Sequence, residues 1–172
     1  MQNADRPATA DWTWTLLPFV AGVALCEGVG LVAAWFTRSS VATWYPTLVK
    51  PWFTPPDWVF GPAWTLLYAL MGIAAALVWR RGRDRRPVRR ALGGFGLQLV
   101  LNAGWTIVFF GLQSIVGGLV VIALLWGAIA ATMTAFFRLD RWAGGLLVPY
   151  LLWVTYAAAL NGGILWLNGG AS

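Results

Sequence analysis

Tryptophan is the residue whose number and placement first indicate a chemistry in this sequence. Thirteen of the 172 residues are tryptophans, and seven lie near the ends of apolar segments, where indoles often sit at the lipid headgroup level. Four lie instead in the middle of apolar segments: Trp64, Trp105, Trp126 and Trp153. A buried indole N–H needs an acceptor, which hydrocarbon does not offer, so we expect these four to face the interior of a bundle.

Three of these four tryptophans have polar or aromatic neighbours about one helical turn away, on the same helix face. The neighbours are Tyr68 for Trp64, Asn102 for Trp105, and Tyr150 with Tyr156 for Trp153. Such groups predict a pocket for a flat, mostly apolar ligand, held by stacking and a few hydrogen bonds. Plain core packing is the alternative for each of them, and it is the favoured interpretation for Trp126, which has no such neighbours.

The remaining reactive residues exclude several classes of enzyme. The chain has no histidine and a single cysteine, Cys26, so a zinc site, a His-ligated haem, a Ser-His-Asp triad and an internal disulfide are not expected, and no metal site is predicted. Glu27 is the only charged residue within the predicted spans, which makes it a functional candidate. Because no span holds a lysine or histidine partner, we expect Glu27 to be protonated or bonded to a neighbour. Gln98 and Asn102, one turn apart, could simply hold helices together.

Five apolar segments must position these residues. Hydrophobic residues make up 59% of the chain and charged residues 10%, whereas soluble domains carry about 25% charged residues. The segments are long enough to cross about 30 Å of hydrocarbon as helices; they cover residues 16–36, 59–79, 91–112, 115–137 and 143–167. The sequence therefore predicts an all-α membrane protein, a single five-transmembrane-helix bundle over residues 16–167 with short tails at 1–15 and 168–172. Because the segments are continuously apolar and do not alternate, helices are favoured over barrel strands.

The charge distribution indicates the orientation of the chain. Seven arginines and Asp84 lie within residues 80–90 and account for the whole net charge of +6. A basic stretch between spans is a topology signal and a contact for anionic lipid, so nucleic-acid binding is not expected. Ten Lys and Arg fall on one side and two on the other if the spans alternate. We therefore expect the N-terminus on the side of the arginine loop, which is the cytoplasmic side in a plasma membrane, and the C-terminus opposite.

The longest connection, residues 37–58, is predicted to be an ordered loop packed back on the bundle. It holds four of the nine prolines and three tryptophans. Disordered linkers are poor in aromatic residues, and the proline spacing excludes one long helix.

Small residues recur every fourth position on the fourth span, at Gly127, Ala131 and Ala135. Such a stripe permits close helix approach, either within the bundle or across a dimer.

Three stretches of the chain resemble the TspO/MBR family, which includes tryptophan-rich sensory proteins, translocator proteins and the peripheral-type benzodiazepine receptor. They are WYPTLVKPWFTPPDWVFGPAWTLLYALM at residues 44–71, QLVLNAGWTIVFFG at 98–111 and LDRWAGGLLVPYLLWVTYAAALN at 139–161. With the five spans, the resemblance covers nearly the whole chain from the first span onward. It implies a five-helix bundle, commonly a homodimer, with a ligand pocket at one end that the loop between the first two spans closes.

The resemblance also implies which residues bind a ligand. The pocket positions are Trp64, Asn102 and Trp153, and their neighbours are Tyr45, Pro55, Pro56, Tyr68, Trp105 and Ala157. The implied ligands are porphyrins and, in animal members, cholesterol and benzodiazepine-type drugs. The family's sterol-associated motif needs a Lys or Arg late in the last span, and none follows Arg141 here. This departure disfavours cholesterol.

Three functions follow from the resemblance. The favoured one is a membrane sensor that binds a tetrapyrrole such as protoporphyrin IX and requires no cofactor; the absence of histidine favours metal-free porphyrin. The second is a light-dependent porphyrin-degrading enzyme in which Trp64 and Trp153 donate electrons. The third is a porphyrin or sterol transporter, which is less favoured because five spans without an internal repeat do not divide into two halves.

Overall fold

The protein is a bundle of mostly long helices, joined by short connections except between the first two. The computed structural model describes residues 11–169, with side chains from residue 16. The helices are α1 (Asp11–Thr43), α2 (Phe60–Arg80), α3 (Arg86–Thr106), α4 (Ile115–Leu139), α5 (Arg141–Leu146) and α6 (Val148–Leu167). Short helical turns cover Tyr45–Thr47 and Asp57–Val59, and a π-helical turn, Ile107–Gly111, continues α3. Within residues 11–169, five stretches are long and apolar enough to cross a membrane, the fifth being α5 with α6. The predicted all-α, multi-pass architecture is confirmed.

The first helix is longer than predicted at both ends. It begins at Asp11, inside the predicted N-terminal tail, and continues to Thr43 instead of ending at residue 36. The hydroxyls of Thr37 and Thr43 donate to carbonyls one turn back, at 3.0 and 2.9 Å, so these polar residues are satisfied within the helix. The loop between α1 and α2 therefore covers residues 44–56, not 37–58. Of the predicted tails, residues 1–10 and 170–172 lie outside the described residues.

Prolines explain two further differences from the predicted spans. The third span begins at Arg86, five residues early, because Pro87 occupies the first turn, where a missing N–H costs nothing. The fifth span is interrupted at Leu147, whose N–H donates to the Gly144 carbonyl at 3.2 Å. Pro149 follows directly and supplies no N–H to continue the ladder of α5, so a new helix begins.

The bundle core lies between antiparallel neighbours joined by short loops. Its fully buried side chains include Met71 from α2, Ile122 and Ile129 from α4, and Tyr150 from α6. Helices α1 and α2 approach closely where Gly22 faces Gly72: a Cβ on Gly22 would lie 2.5 Å from the Gly72 carbonyl oxygen. This contact sets the rotation of α1 against α2.

One ion pair, the only one among residues 16–169, holds the arginine-loop end of the bundle. Arg81 donates to the buried carboxylate of Asp140, which also accepts the backbone N–H groups of Trp142 and Ala143 at 2.8 and 3.2 Å and so caps α5. Burial by itself would raise the pKa of Asp140. The hydrogen bonds from Arg81 and the two N–H groups, with the charge of Arg81, outweigh burial and hold that pKa below its usual value.

Candidate functional site

A cavity of about 560 Å³ lies between α1, α2, α3 and α6, toward the end of the bundle that carries the loop 44–56. Its size is in the usual range for small-molecule sites. Helix α1 contributes Glu27, Gly30, Leu31, Ala34, Thr37, Arg38, Val41 and Ala42; the loop, the short turn Asp57–Val59 and α2 contribute Tyr45, Asp57, Phe60, Gly61, Trp64, Thr65 and Tyr68; α3 with its π-helical turn and α6 contribute Trp105, Thr106, Phe110, Trp153 and Ala157. Six of the nine residues predicted to bind a ligand therefore line one cavity; Pro55, Pro56 and Asn102 do not.

Aromatic rings form one wall of this cavity. Trp64 stacks on Tyr68 with ring centroids 5.4 Å apart and an interplanar angle of 30°. Trp153 meets Trp64 edge to face at 6.5 Å, and two further rings lie near it, Tyr156 at 5.7 Å and Phe60 at 6.0 Å. Since Trp64 and Trp153 come from different helices, their rings make a corner of two nearly perpendicular faces, 84° apart, against which a flat ligand can stack.

Asn102 is the centre of a hydrogen-bond network behind that wall. Its side-chain oxygen accepts from the Tyr68 hydroxyl at 2.6 Å, and its side-chain nitrogen donates to the Tyr150 hydroxyl at 3.1 Å. Asn102 is 0% exposed. The structure thus places Asn102, one of the predicted pocket residues, behind the cavity, where it positions Tyr68, and not on the cavity surface.

The indole N–H groups at mid-depth find different partners. That of Trp105 points to the side-chain oxygen of Asn161 at 3.4 Å, and the Asn161 amide donates to the Ile115 carbonyl at 2.9 Å. Asn161 is not among the predicted site residues, although an amide in an apolar span is a signal of its own. The indole N–H of Trp126 donates to the Thr155 hydroxyl at 2.8 Å, but this side chain is 43% exposed and does not face the interior as expected.

Tyr45 is the one residue of the loop 44–56 that lines the cavity. Its ring is buried, packs edge to face on Phe110 at 5.4 Å, and has the Lys50 ammonium 4.6 Å from its centroid. Burial, followed by the negative charge of Asp57 and the neighbouring Tyr156, raises the pKa of Tyr45 to about 12. Tyr45 therefore stays a neutral hydrogen-bond donor at physiological pH.

The rest of the loop is docked on α6. The Tyr156 hydroxyl donates to the Phe53 carbonyl at 2.7 Å, and the Asn168 side chain exchanges two hydrogen bonds with the backbone of Val49, at 3.1 and 2.9 Å. Pro51 is buried against Gly163, where a Cβ would come within 2.5 Å of the proline ring. The loop is ordered and packed on the bundle, as its composition predicted.

Pro55 and Pro56 act on the start of α2. The Pro56 carbonyl accepts the Val59 N–H at 3.0 Å, so it begins the short turn that leads into the helix. The two prolines therefore direct the chain from the loop into α2 and do not contact the cavity.

Three charged residues line the cavity without having been predicted as ligand contacts. Glu27 lies at its deep end, at the level of Tyr68, while Arg38 and Asp57 lie toward the loop end. The Arg38 guanidinium lies 3.7 Å from the centroid of the Trp35 ring. Because the apolar residues of α1 occur on all of its sides, the hydrophobic pattern does not indicate which face of this helix points inward.

Gln98 does not have the predicted role of joining helices. Its side chain is buried, and neither amide atom has a hydrogen-bond partner among the described residues. Asn102, one turn later, makes the interhelical bonds.

Comparisons with known proteins place these features in a family context. The sequence profile of the TspO/MBR family matches residues 22–167. The chain is 46% identical over 120 residues to the Tryptophan-rich protein TspO of Chlorobaculum tepidum, covering 70% of this chain and 76% of that protein. It is 44% identical to the Tryptophan-rich protein TspO of Archaeoglobus fulgidus (69% and 76% covered) and 38% identical to the Translocator protein of Homo sapiens (66% and 69% covered).

Proposed function

Because the chain belongs to the TspO/MBR family, we propose that it is a membrane sensor whose cavity binds a metal-free tetrapyrrole such as protoporphyrin IX. One observation carries the proposal: Trp64 and Trp153, from two different helices, present nearly perpendicular faces to a single cavity that Tyr68 and Trp105 also line. A flat aromatic macrocycle gains stacking energy on such a surface.

The polar residues of the cavity suit the polar groups of the proposed ligand. Protoporphyrin IX is apolar around most of its rim, carries two propionates on one edge, and has pyrrole N–H donors at its centre. Arg38 at the loop end offers a counter-charge for a propionate. Glu27 at the deep end offers oxygen acceptors for N–H groups in a part of the cavity that is otherwise apolar. The chain has no histidine to serve as the usual axial ligand of iron.

A titration with protoporphyrin IX in detergent, followed by the shift of its absorbance band, tests this proposal without relying on tryptophan emission. A planar macrocycle that stacks on one of these perpendicular indoles meets the other edge to face, and each such contact contributes about 0.5–1.5 kcal/mol. The double substitution Trp64→Ala with Trp153→Ala should therefore weaken binding by about 5- to 150-fold. The matched control removes two exposed tryptophans that are not part of the cavity, Trp142→Ala with Trp166→Ala, and should bind as the unchanged chain does. Equal affinity of both double variants would rule the cavity out.

The same corner of rings supports a second candidate function, light-driven porphyrin oxidation. Trp64 and Trp153 line the cavity with centroids 6.5 Å apart, so either indole would touch a bound macrocycle and could donate an electron to its excited state. Molecular oxygen would be the oxidant: it would take the electron from the porphyrin radical anion to give superoxide, and the indole radical cation would recover an electron from the macrocycle. Superoxide would then add to the resulting porphyrin cation, so the net change is the addition of one O₂ to the porphyrin. Illumination of the complex in air should then yield one defined tetrapyrrole product, and Trp64→Phe with Trp153→Phe should abolish it while leaving unspecific bleaching.

Cholesterol serves as the comparison ligand. It has no aromatic ring to stack, and no Lys or Arg follows Arg141 to complete the family's sterol-associated motif. We propose that it binds more weakly than protoporphyrin IX, which competition between the two in the same titration measures.

A further inference from the structure

A second concave site lies on the outer surface of the bundle, between α3 and α4 and away from the tryptophan-lined cavity. This groove has a volume of about 420 Å³. Its walls are mostly small and apolar, including Ala91 and Gly94 on α3 and Ala131 and Ala135 on α4. The small residues predicted to permit close helix approach therefore leave an open channel here.

Two arginines from different helices stand at one end of the groove. Arg90 lies in the second turn of α3 and Arg138 in the last turn of α4, so antiparallel packing brings both to the arginine-loop end. The ion pair of Arg81 and Asp140 is the only one among residues 16–169, so neither guanidinium is neutralised by a carboxylate there. Arg90 also lines an adjoining shallow cavity with Arg86 and Arg89.

The length of the groove matches one leaflet of a bilayer. From Arg138 back to Ala128 along α4 is about 15 Å at the helical rise of 1.5 Å per residue. Half of the hydrocarbon thickness is also about 15 Å. A molecule with its charged group at the arginines could therefore extend an acyl chain along the groove to the middle of the membrane.

We propose that this groove binds an anionic phospholipid. Its phosphate lies between the guanidiniums of Arg90 and Arg138, and one acyl chain lies along Gly94 and Ala131. Paired guanidiniums bind phosphate oxygens strongly, and basic pockets between transmembrane helices suit anionic headgroups. Among residues 16–169, no acidic residue lines the groove or the adjoining cavity to oppose that charge.

A second copy of the chain is the competing occupant, and charge disfavours it. In a two-fold dimer whose axis follows the membrane normal, both copies present the same surface at the same depth. Four guanidiniums, two from Arg90 and two from Arg138, would then approach one another at the interface. Like charges brought together across an interface are costly, whereas a phosphate between them is favourable.

Native mass spectrometry of the purified chain, exchanged into an equal mixture of phosphatidylglycerol and phosphatidylcholine, tests the proposal. We expect the unchanged chain to retain phosphatidylglycerol preferentially. Arg90→Gln with Arg138→Gln should lower the retention of phosphatidylglycerol about tenfold or more, since each basic side chain near the surface adds to the binding free energy for an anionic headgroup. The matched control, Arg83→Gln with Arg141→Gln, removes the same charge from the same end of the bundle outside the groove and should retain the lipid within about twofold of the unchanged chain.

A third variant, Ala131→Leu, distinguishes a bound lipid from a second copy of the chain without altering charge, because the larger side chain occupies part of the groove. It should lower phosphatidylglycerol retention while the oligomeric state stays the same. Helix content by circular dichroism verifies that each variant is folded. Equal losses in the two arginine pairs, or an Ala131→Leu variant that changes self-association but not lipid retention, would overturn the lipid site and assign the groove to general surface charge or to a second copy.

Discussion

Replacing Asn102 by alanine should destabilise the protein while leaving ligand affinity nearly unchanged. Asn102 is fully buried, does not line the cavity, and joins three helices through its bonds to Tyr68 and Tyr150. The substitution removes both hydrogen bonds and leaves two tyrosine hydroxyls inside an apolar bundle. Its effect therefore falls on the fold and reaches the cavity only through the position of Tyr68.

The magnitude follows from these contacts. Hydrogen bonds between membrane helices contribute about 0.6 kcal/mol on average and up to about 1.7 kcal/mol, and a buried polar group left without a partner costs about 1–3 kcal/mol. We expect the Asn102→Ala variant to lose about 1–3 kcal/mol of unfolding free energy. Because the Tyr68 ring still packs against Trp64, affinity for protoporphyrin IX should change by less than about threefold.

Titration with a denaturing detergent in mixed micelles, followed by helical circular dichroism, measures the unfolding free energy. A cycle with Tyr68→Phe isolates the shared bond, since phenylalanine keeps the ring and removes only the hydroxyl that Asn102 accepts. The coupling energy of the cycle should be about 1 kcal/mol. Porphyrin affinity is measured on the same samples.

One result would contradict a purely structural role for Asn102. If porphyrin affinity fell more than about tenfold, or 1.4 kcal/mol, while the unfolding free energy stayed constant, Asn102 would contact the ligand directly. The hydrogen bonds of Asn102 with Tyr68 and Tyr150 would then rearrange when the ligand binds, and the buried position of Asn102 would apply only to the ligand-free chain.

Three further predictions concern the two ends of the bundle and the side of the cavity that α1 forms. Burial opposes the ionisation of Asp140, but its bonds with Arg81 and two backbone N–H groups outweigh burial, so its pKa is lowered in the folded chain. The ionised carboxylate therefore stabilises the fold fully above the unfolded pKa of about 4, and this stability is lost as the pH falls below that value. The thermal unfolding temperature should fall with acid below about pH 4, and Asp140→Asn should remove that part of the decrease. Arg38→Gln should weaken binding of protoporphyrin IX but not of its dimethyl ester; an equal loss for both compounds would mean that Arg38 does not pair with a propionate. Ala34→Leu adds bulk on α1 at a residue that both lines the cavity and is exposed on the outside of the bundle. It should slow the capture of porphyrin from vesicles in stopped-flow measurements, whereas Tyr156→Phe, which removes a hydrogen bond to the loop, should not; the opposite order would indicate entry past the loop.

Local sequence features were sufficient to predict the spans and the aromatic wall. The length of an apolar segment reports directly on membrane crossing, and the spacing of Trp64 with Tyr68 is a property of one helix. The family resemblance added Tyr45 and Ala157, which also line the cavity. The predicted end of the first span at residue 36 is wrong because the hydroxyls of Thr37 and Thr43 donate to carbonyls within α1, so these polar residues remain helical. Whether a threonine forms such a bond depends on its side-chain rotamer, which the sequence does not show.

Features that depend on how one helix is rotated against another could not be predicted. Glu27 and Arg38 line the cavity because the contact of Gly22 with Gly72 sets the rotation of α1. The hydrophobic pattern of α1 does not indicate this rotation, because apolar side chains occur on every face of the helix. Asn102 looked like a cavity residue for the same reason: the sequence placed it on the face of Trp105 but did not reveal that two tyrosines from other helices would cover it.

The shape of the cavity explains how an apolar ligand can reach it. The loop 44–56 is tied to α6 by Phe53 and Val49, so the end facing water is held by several hydrogen bonds. Along α1 the situation differs: Leu31 and Val41 line the cavity yet are 69% and 42% exposed, so their outer sides meet lipid. A tetrapyrrole dissolved in the bilayer could enter beside these residues with its apolar rim never exposed to water. Its propionates could remain near the headgroups, at the level of Arg38, while the macrocycle moves inward. The charged propionates would then stay out of the hydrocarbon, where the free energy of removing them from water would be very high.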